Sequence, residues 1–210
     1  GLTACTKCHG DENKAYERSI HSKARIEGKE NAPICSSCHK SHDVTVTAMT
    51  MKMKGVCLTC HKDIENAHKK WLSNPPFKLS SFAGLHLDTA ACAACHSPGT
   101  KGGAFLCLYN RKTGKPFSEE EVLKVLGMDS AGLKKELDPL GKGVGSSEVW
   151  NMIKKLDEKG ADVNFIGRLD VRKGIEAHLL AEKKKAVKDC EYCHRADSDF
   201  FKNVSIVLFK

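Results

Sequence analysis

At 210 residues the chain has room for one or two ordinary domains, yet only 6% of it is aromatic and 29% is charged, a lean supply for a core of that size. A formal charge of +8 ordinarily points to an anionic partner, but no nucleic-acid-binding signature accompanies it. No apolar run is long enough to span a bilayer, and none has the form of a leader.

The first element arrives at once, as Cys5-Thr-Lys-Cys8-His9. The same pattern returns as Cys35-Ser-Ser-Cys38-His39, Cys57-Leu-Thr-Cys60-His61, Cys92-Ala-Ala-Cys95-His96 and Cys190-Glu-Tyr-Cys193-His194. Two thiols separated by two residues match the two vinyl groups of a porphyrin, and the next imidazole falls beneath the iron. Each copy is therefore a c-type haem attachment signature, and the five together imply five haem c groups. A single copy might be a redox dithiol or half a zinc site; five, each followed by His, leave little room for either.

The chain has ten histidines. The five outside the motifs are His21, His42, His68, His86 and His178. Five six-coordinate irons need five further axial ligands, so supply and demand match, and these five are the candidate distal ligands. Met49, Met51 and Met53 compete, since Met ligation also occurs and raises the potential; their alternation reads as a short strand or core stripe. Further on, Ile64 to Leu72 has helical periodicity, which places His61 and His68 about two turns apart on one face. That spacing directs His68 to a neighbouring haem. Asn74-Pro75-Pro76 ends the helix.

Successive first cysteines are 30, 22, 35 and 98 residues apart. Four motifs crowd residues 1–96, and 97–173 reads as a haem-free α/β insertion with no histidine. Inside it, Ala104 to Tyr109 is an apolar run holding Cys107, the one cysteine outside the motifs; burial as a small hydrophobe is its expected role. Ser118-Glu119-Glu120-Glu121 forms a capping box ahead of a short helix. Ser146 or Ser147 opens a second helix that runs to Gly160, with Val149, Ile153 and Leu156 at helical spacing. Ala161 to Val171 alternates as a strand or hairpin. In the last segment, 174–210, a helix over about Gly174 to Val187 carries His178 toward the fifth motif, and a C-terminal strand follows. The fold class expected is a multihaem cytochrome c of short helices and loops around stacked haems, with the α/β insertion apart.

Tyr16-Glu17-Arg18-Ser19-Ile20-His21, Cys35 to His42 and the five motifs resemble the exported multihaem cytochrome c superfamily that includes the c3, tetrahaem c554 and NapC/NrfH-type proteins. The resemblance covers 1–96 and 174–210 and hardly touches 97–173. It implies that His42, three residues after a motif, ligates a different haem, and that His21, His68, His86 and His178 are distal ligands. Covalent attachment outside the cytoplasm implies a periplasmic or extracellular protein, with any membrane association resting on sequence outside this chain. The abrupt start before Cys5 fits a mature or trimmed form.

Haem brings ten propionates, which take the formal +8 to about −2 and explain much of the lysine excess without nucleic acid. Haem faces also supply the missing apolar area, so the four-motif segment is expected not to fold without them. With both axial positions filled, the expected role is outer-sphere electron transfer in a low-potential chain of anaerobic respiration, the partners being redox proteins or a quinone-linked membrane complex. Two alternatives stand beside it: a cytochrome filament subunit associating through exposed haems, and a multihaem reductase of a nitrogen or sulfur oxyanion. The reductase needs an open iron, and no Cys-x-x-Cys-Lys is present.

Overall fold

A run of Cys-x-x-Cys-His has a local shape of its own. In the computed structural model, the His amide of the first three motifs donates to the carbonyl of the first Cys (His9 to Cys5, His39 to Cys35, His61 to Cys57, each 2.9 Å). That is a single helical turn, which sets the two thiols one turn apart on one side. The structure describes residues 3–39, 46–72, 82–141, 144–195, 197–202 and 204–208.

The chain divides into two units: residues 1–101 with 170–192, and 102–169 with 193–210. The boundary differs from the three segments expected (1–96, 97–173 and 174–210). Residues 174–192 join the four-motif part, while the C-terminal strand belongs with the α/β part. The division itself falls inside the fifth motif, between Tyr192 and Cys193.

The first unit is a series of short helices: α1 (Thr3–Thr6), α2 (Gly10–Glu17), α3 (Ile20–Ile26), α4 (Cys35–Cys38), α5 (Val46–Cys60), α6 (Ile64–Leu72), α7 (Phe82–Thr89) and α8 (Cys92–His96). Ser19 caps α3 by accepting from the Ser22 amide. Tyr16 donates to the Pro33 carbonyl (2.7 Å), tying α2 to the loop before the second motif. Among the described residues, the buried apolar side chains of this unit are only Ala15, Ala91, Ala93, Ala94 and Val171.

Three expectations are corrected here. Met49, Met51 and Met53 lie in α5, a helix and not a strand. His61 precedes α6 and is not on its face. Residues 174–187 form two 3-10 turns, Gly174–His178 and Lys183–Lys185, in place of one helix. Its amides go elsewhere: Ala181 donates to the His96 carbonyl and Val187 to that of Cys95, and three consecutive lysines oppose a tight helix. The fold class is otherwise the mostly helical, loop-rich one expected, with a small sheet.

The second unit contains β1 (Gly102–Asn110), α9 (Glu119–Leu126), α10 (Ser130–Leu137), α11 (Ser146–Glu158), most of β2 (Val163–Val171) and β3 (Val204–Val207). Strand order is β2-β1-β3. β1 and β3 run parallel, with Leu106 opposite Ile206. Arg111 donates to Asp162, and Arg172 to Lys101, at opposite ends of the β1/β2 pair, so those strands are antiparallel. Ser118 and Glu121 form the expected capping box, and Gly127 closes α9 at φ 72°. For α11, Gly145 and not a serine occupies the cap. Leu108, Phe117, Val122, Leu126, Met152 and Leu156 head an ordinary apolar core, and Cys107 is fully buried at its edge.

Candidate haem-ligand site

Three motif imidazoles of the first unit each face an imidazole from outside the motifs. His61 stacks on His21 with ring centres 6.2 Å apart and planes 26° from parallel. His39 stacks on His178 at 5.8 Å and 17°. His96 meets His68 at 6.2 Å, with the rings crossed at 87°. Two imidazoles on one metal, each bonded at about 2 Å with its ring centre about 1.1 Å further back, give a centre separation of about 6 Å. The three pairs stand at that separation, so each could hold one iron between its rings.

Backbone carbonyls set the tautomer. His68 Nδ1 lies 2.8 Å from the Ile64 oxygen, His178 Nδ1 3.1 Å from that of Gly174, and His96 Nδ1 3.4 Å from that of Ala181. A carbonyl only accepts, so Nδ1 carries the proton and Nε2 keeps its lone pair for a metal. Burial holds His21, His39 and His96 below the ordinary imidazole value, and in each case the facing ring (His61, His178 and His68) pushes the same way. All three are thus neutral at pH 7, the form that ligates.

The thiols gather as well. Burial pushes the Cys35 thiol up, and Cys5 pushes it the same way. Cys57 and Cys92 act on each other: the Cys57 thiol is pushed far up, chiefly by Cys92, while Cys92 is drawn down to about 7 by Cys57. Cys5, Cys8, Cys60 and Cys190 are exposed, Cys38, Cys95 and Cys193 half-buried. The His9 side chain is 69% exposed, with Glu12 at 3.9 Å. Cys107 is separate from all of these: its thiol pairs with the Tyr109 hydroxyl, which is pushed up to about 12 chiefly by burial.

His178 faces His39 of the second motif, a pairing that the sequence left open when it placed His178 on a helix leading to the fifth. The turn carrying it packs on α2 and α8, and the Ile20 amide fixes the next stretch through the Leu180 carbonyl at 2.8 Å. His86 sits edge-on to Trp71 at 5.9 Å, a neighbour the sequence did not suggest. His194 ends α12 (Glu191–His194). His42 lies outside the described residues.

These residues fit haem on two further observations. The first unit buries no large apolar side chain of its own among the described residues, leaving its interior for a flat apolar group. Ser97, next to His96, is fully buried, and its hydroxyl has no partner; such an orphan costs about 1–3 kcal/mol unless a group such as a propionate accepts from it. Among the described residues no cluster of three or more His, Cys, Asp or Glu is arranged to hold a bare metal ion.

Residues 29–108 match the family model for Cytochrome c3. The match supports a multihaem cytochrome c. Members of that family bind haem c and carry electrons, and the matched span contains the second, third and fourth motifs with His42, His68 and His86. No curated protein and no solved structure matches the chain. Among the described residues no helix is long and apolar enough to cross a membrane.

Proposed function

We propose that the chain transfers electrons through five covalently attached haems, each iron held between two histidines. The facing pairs His61/His21, His39/His178 and His96/His68, all at 5.8–6.2 Å, carry this reading. Haem bound there supplies reversible one-electron chemistry at iron. Two imidazoles on each iron would leave no place for a substrate there and would favour low potential relative to His/Met ligation. Carbonyls of Ile64, Gly174 and Ala181 orient the rings and raise their donor strength. By the same logic His42 and His86 are the remaining distal ligands. The partners are redox proteins or a quinone-linked membrane complex, in the periplasm or outside the cell.

Low-temperature EPR of the oxidised protein, with a carbon monoxide difference spectrum of the reduced form, tests this. Low-spin signals alone and no CO binding are expected. A stoichiometric high-spin, CO-binding iron would replace electron transfer with a reductase. The exposure of Cys5, Cys8 and His9 favours one second reading, self-association through the first haem into a filament; electron micrographs of the concentrated holoprotein decide it.

A further inference from the structure

We propose that Trp71 is a positioning residue that holds His68 crossed against His96, and so makes the fourth motif's iron electronically unlike those of the other two described pairs. This role rests on the bis-histidine reading above and adds a distinction among the sites.

The three facing pairs agree in separation and differ in angle. His21 and His61 lie 26° from parallel, and His39 and His178 lie 17° from it. His68 and His96 cross at 87°. An imidazole turns freely about the bond that carries it until its edges are engaged, so the angle between facing rings records what grips each one. His68 is gripped twice from its own helix. Its Nδ1 meets the Ile64 carbonyl one turn back at 2.8 Å, and the Trp71 indole one turn ahead lies edge-on to it at 6.4 Å and 75°. Trp71 is itself held from a second helix, since His86 of α7 lies edge-on to the indole at 5.9 Å and 85°. His96 takes its orientation from elsewhere, with Nδ1 3.4 Å from the Ala181 carbonyl. The two rings of this pair therefore answer to separate parts of the unit, and α6 with Trp71 sets the crossing.

The angle matters to a bound haem through the two dπ orbitals of iron. Each imidazole interacts chiefly with the orbital perpendicular to its own plane. Near-parallel rings act on the same orbital and split the two apart, whereas crossed rings act on one each and leave them nearly equal in energy. Ferric iron with nearly equal dπ orbitals keeps orbital angular momentum, so its low-spin EPR signal is strongly anisotropic, a lone feature at low field. Near-parallel rings give the ordinary rhombic signal. Splitting also stabilises the ferric state, so crossing raises the potential above that of a parallel pair otherwise alike. Axial ligation is one of the protein's levers on a haem potential, and here the lever is ring angle.

Low-temperature EPR and potentiometric titration of the holoprotein test this, comparing the parent with His68→Ala, Trp71→Ala, Trp71→Leu and Trp71→Phe. The parent should show the low-field signal, and His68→Ala should abolish one iron's share of it and leave a high-spin iron that binds CO. Trp71→Ala and Trp71→Leu should keep every haem low-spin, move that share into the rhombic range and lower one potential. Trp71→Phe, which keeps an edge-on ring, should retain both parent properties. A parent without the low-field signal, or a His68→Ala protein that keeps it whole, overturns the crossed fourth site. Parent signal and potentials in the alanine and leucine variants, haem loss from both, or a phenylalanine variant that behaves like leucine overturns the role of Trp71. CO judges the underlying reading separately: a parent that binds it sinks bis-histidine ligation, whereas a CO-silent parent that fails the tests above sinks only the role of Trp71 and the crossed site.

Discussion

Replacing His178 with alanine isolates one ligand. The His178 ring gives one hydrogen bond to its own turn, at 3.1 Å from Gly174, and such a bond contributes about 0.5–1.5 kcal/mol net. Against a typical domain stability of about 5–15 kcal/mol, its loss leaves the chain folded, and Cys35, Cys38 and His39 still hold the haem. On the proposed reading the expected change is therefore spectroscopic: one iron turns high-spin and binds CO, with the haem content per chain unchanged. His178→Met should instead keep that iron low-spin and raise one potential. Pyridine haemochrome assay, EPR and CO titration read these outcomes. An H178A protein with the parent's low-spin spectrum and no CO binding would refute the pairing with His39.

Four other outcomes follow from particular contacts. Leu156 is fully buried in the second unit, so Leu156→Ala should cost about 2–5 kcal/mol, visible as a lower denaturant midpoint by far-UV circular dichroism. A methyl at Gly102 would collide with the buried Phe200 ring; Gly102→Ala should cost about 1–3 kcal/mol, whereas an undiminished thermal midpoint would contradict that packing. Ser118→Ala removes the cap of α9 at about 1 kcal/mol. The Ser118 amide and hydroxyl also hold the Glu121 carboxyl below its ordinary 4.5. A depressed carboxylate stabilises above its unfolded value and loses that contribution as pH falls through the folded one, so the parent should weaken below about pH 4.5 and Glu121→Gln should show a flatter acid limb.

Local signals were read from the sequence where the structure obeys local rules. α6, the capping box of α9 and the strand ending at Val171 each follow from a few adjacent residues. β1 and α10 were missed, because Gly102–Asn110 is a continuous apolar run without alternation and Ser130–Leu137 is a short helix containing a glycine. The Met49–Met53 alternation misled because two-residue spacing also occurs along a helix when both faces are apolar. All the histidines were visible as residue types. Which ring faces which was not, since His39 and His178 are brought together by backbone bonds from Ile20 and Ala181 to partners distant in the chain.

That same distance sets an order of assembly. His21, His61, His68 and His96 all lie within residues 1–96, so on the proposed reading two of the facing pairs are complete without the rest of the chain. His39 must wait for His178, which follows the intervening 102–169 segment. On that reading the second site is the last of the three described pairs to be finished, and a chain cut short after residue 169 would lack its second imidazole.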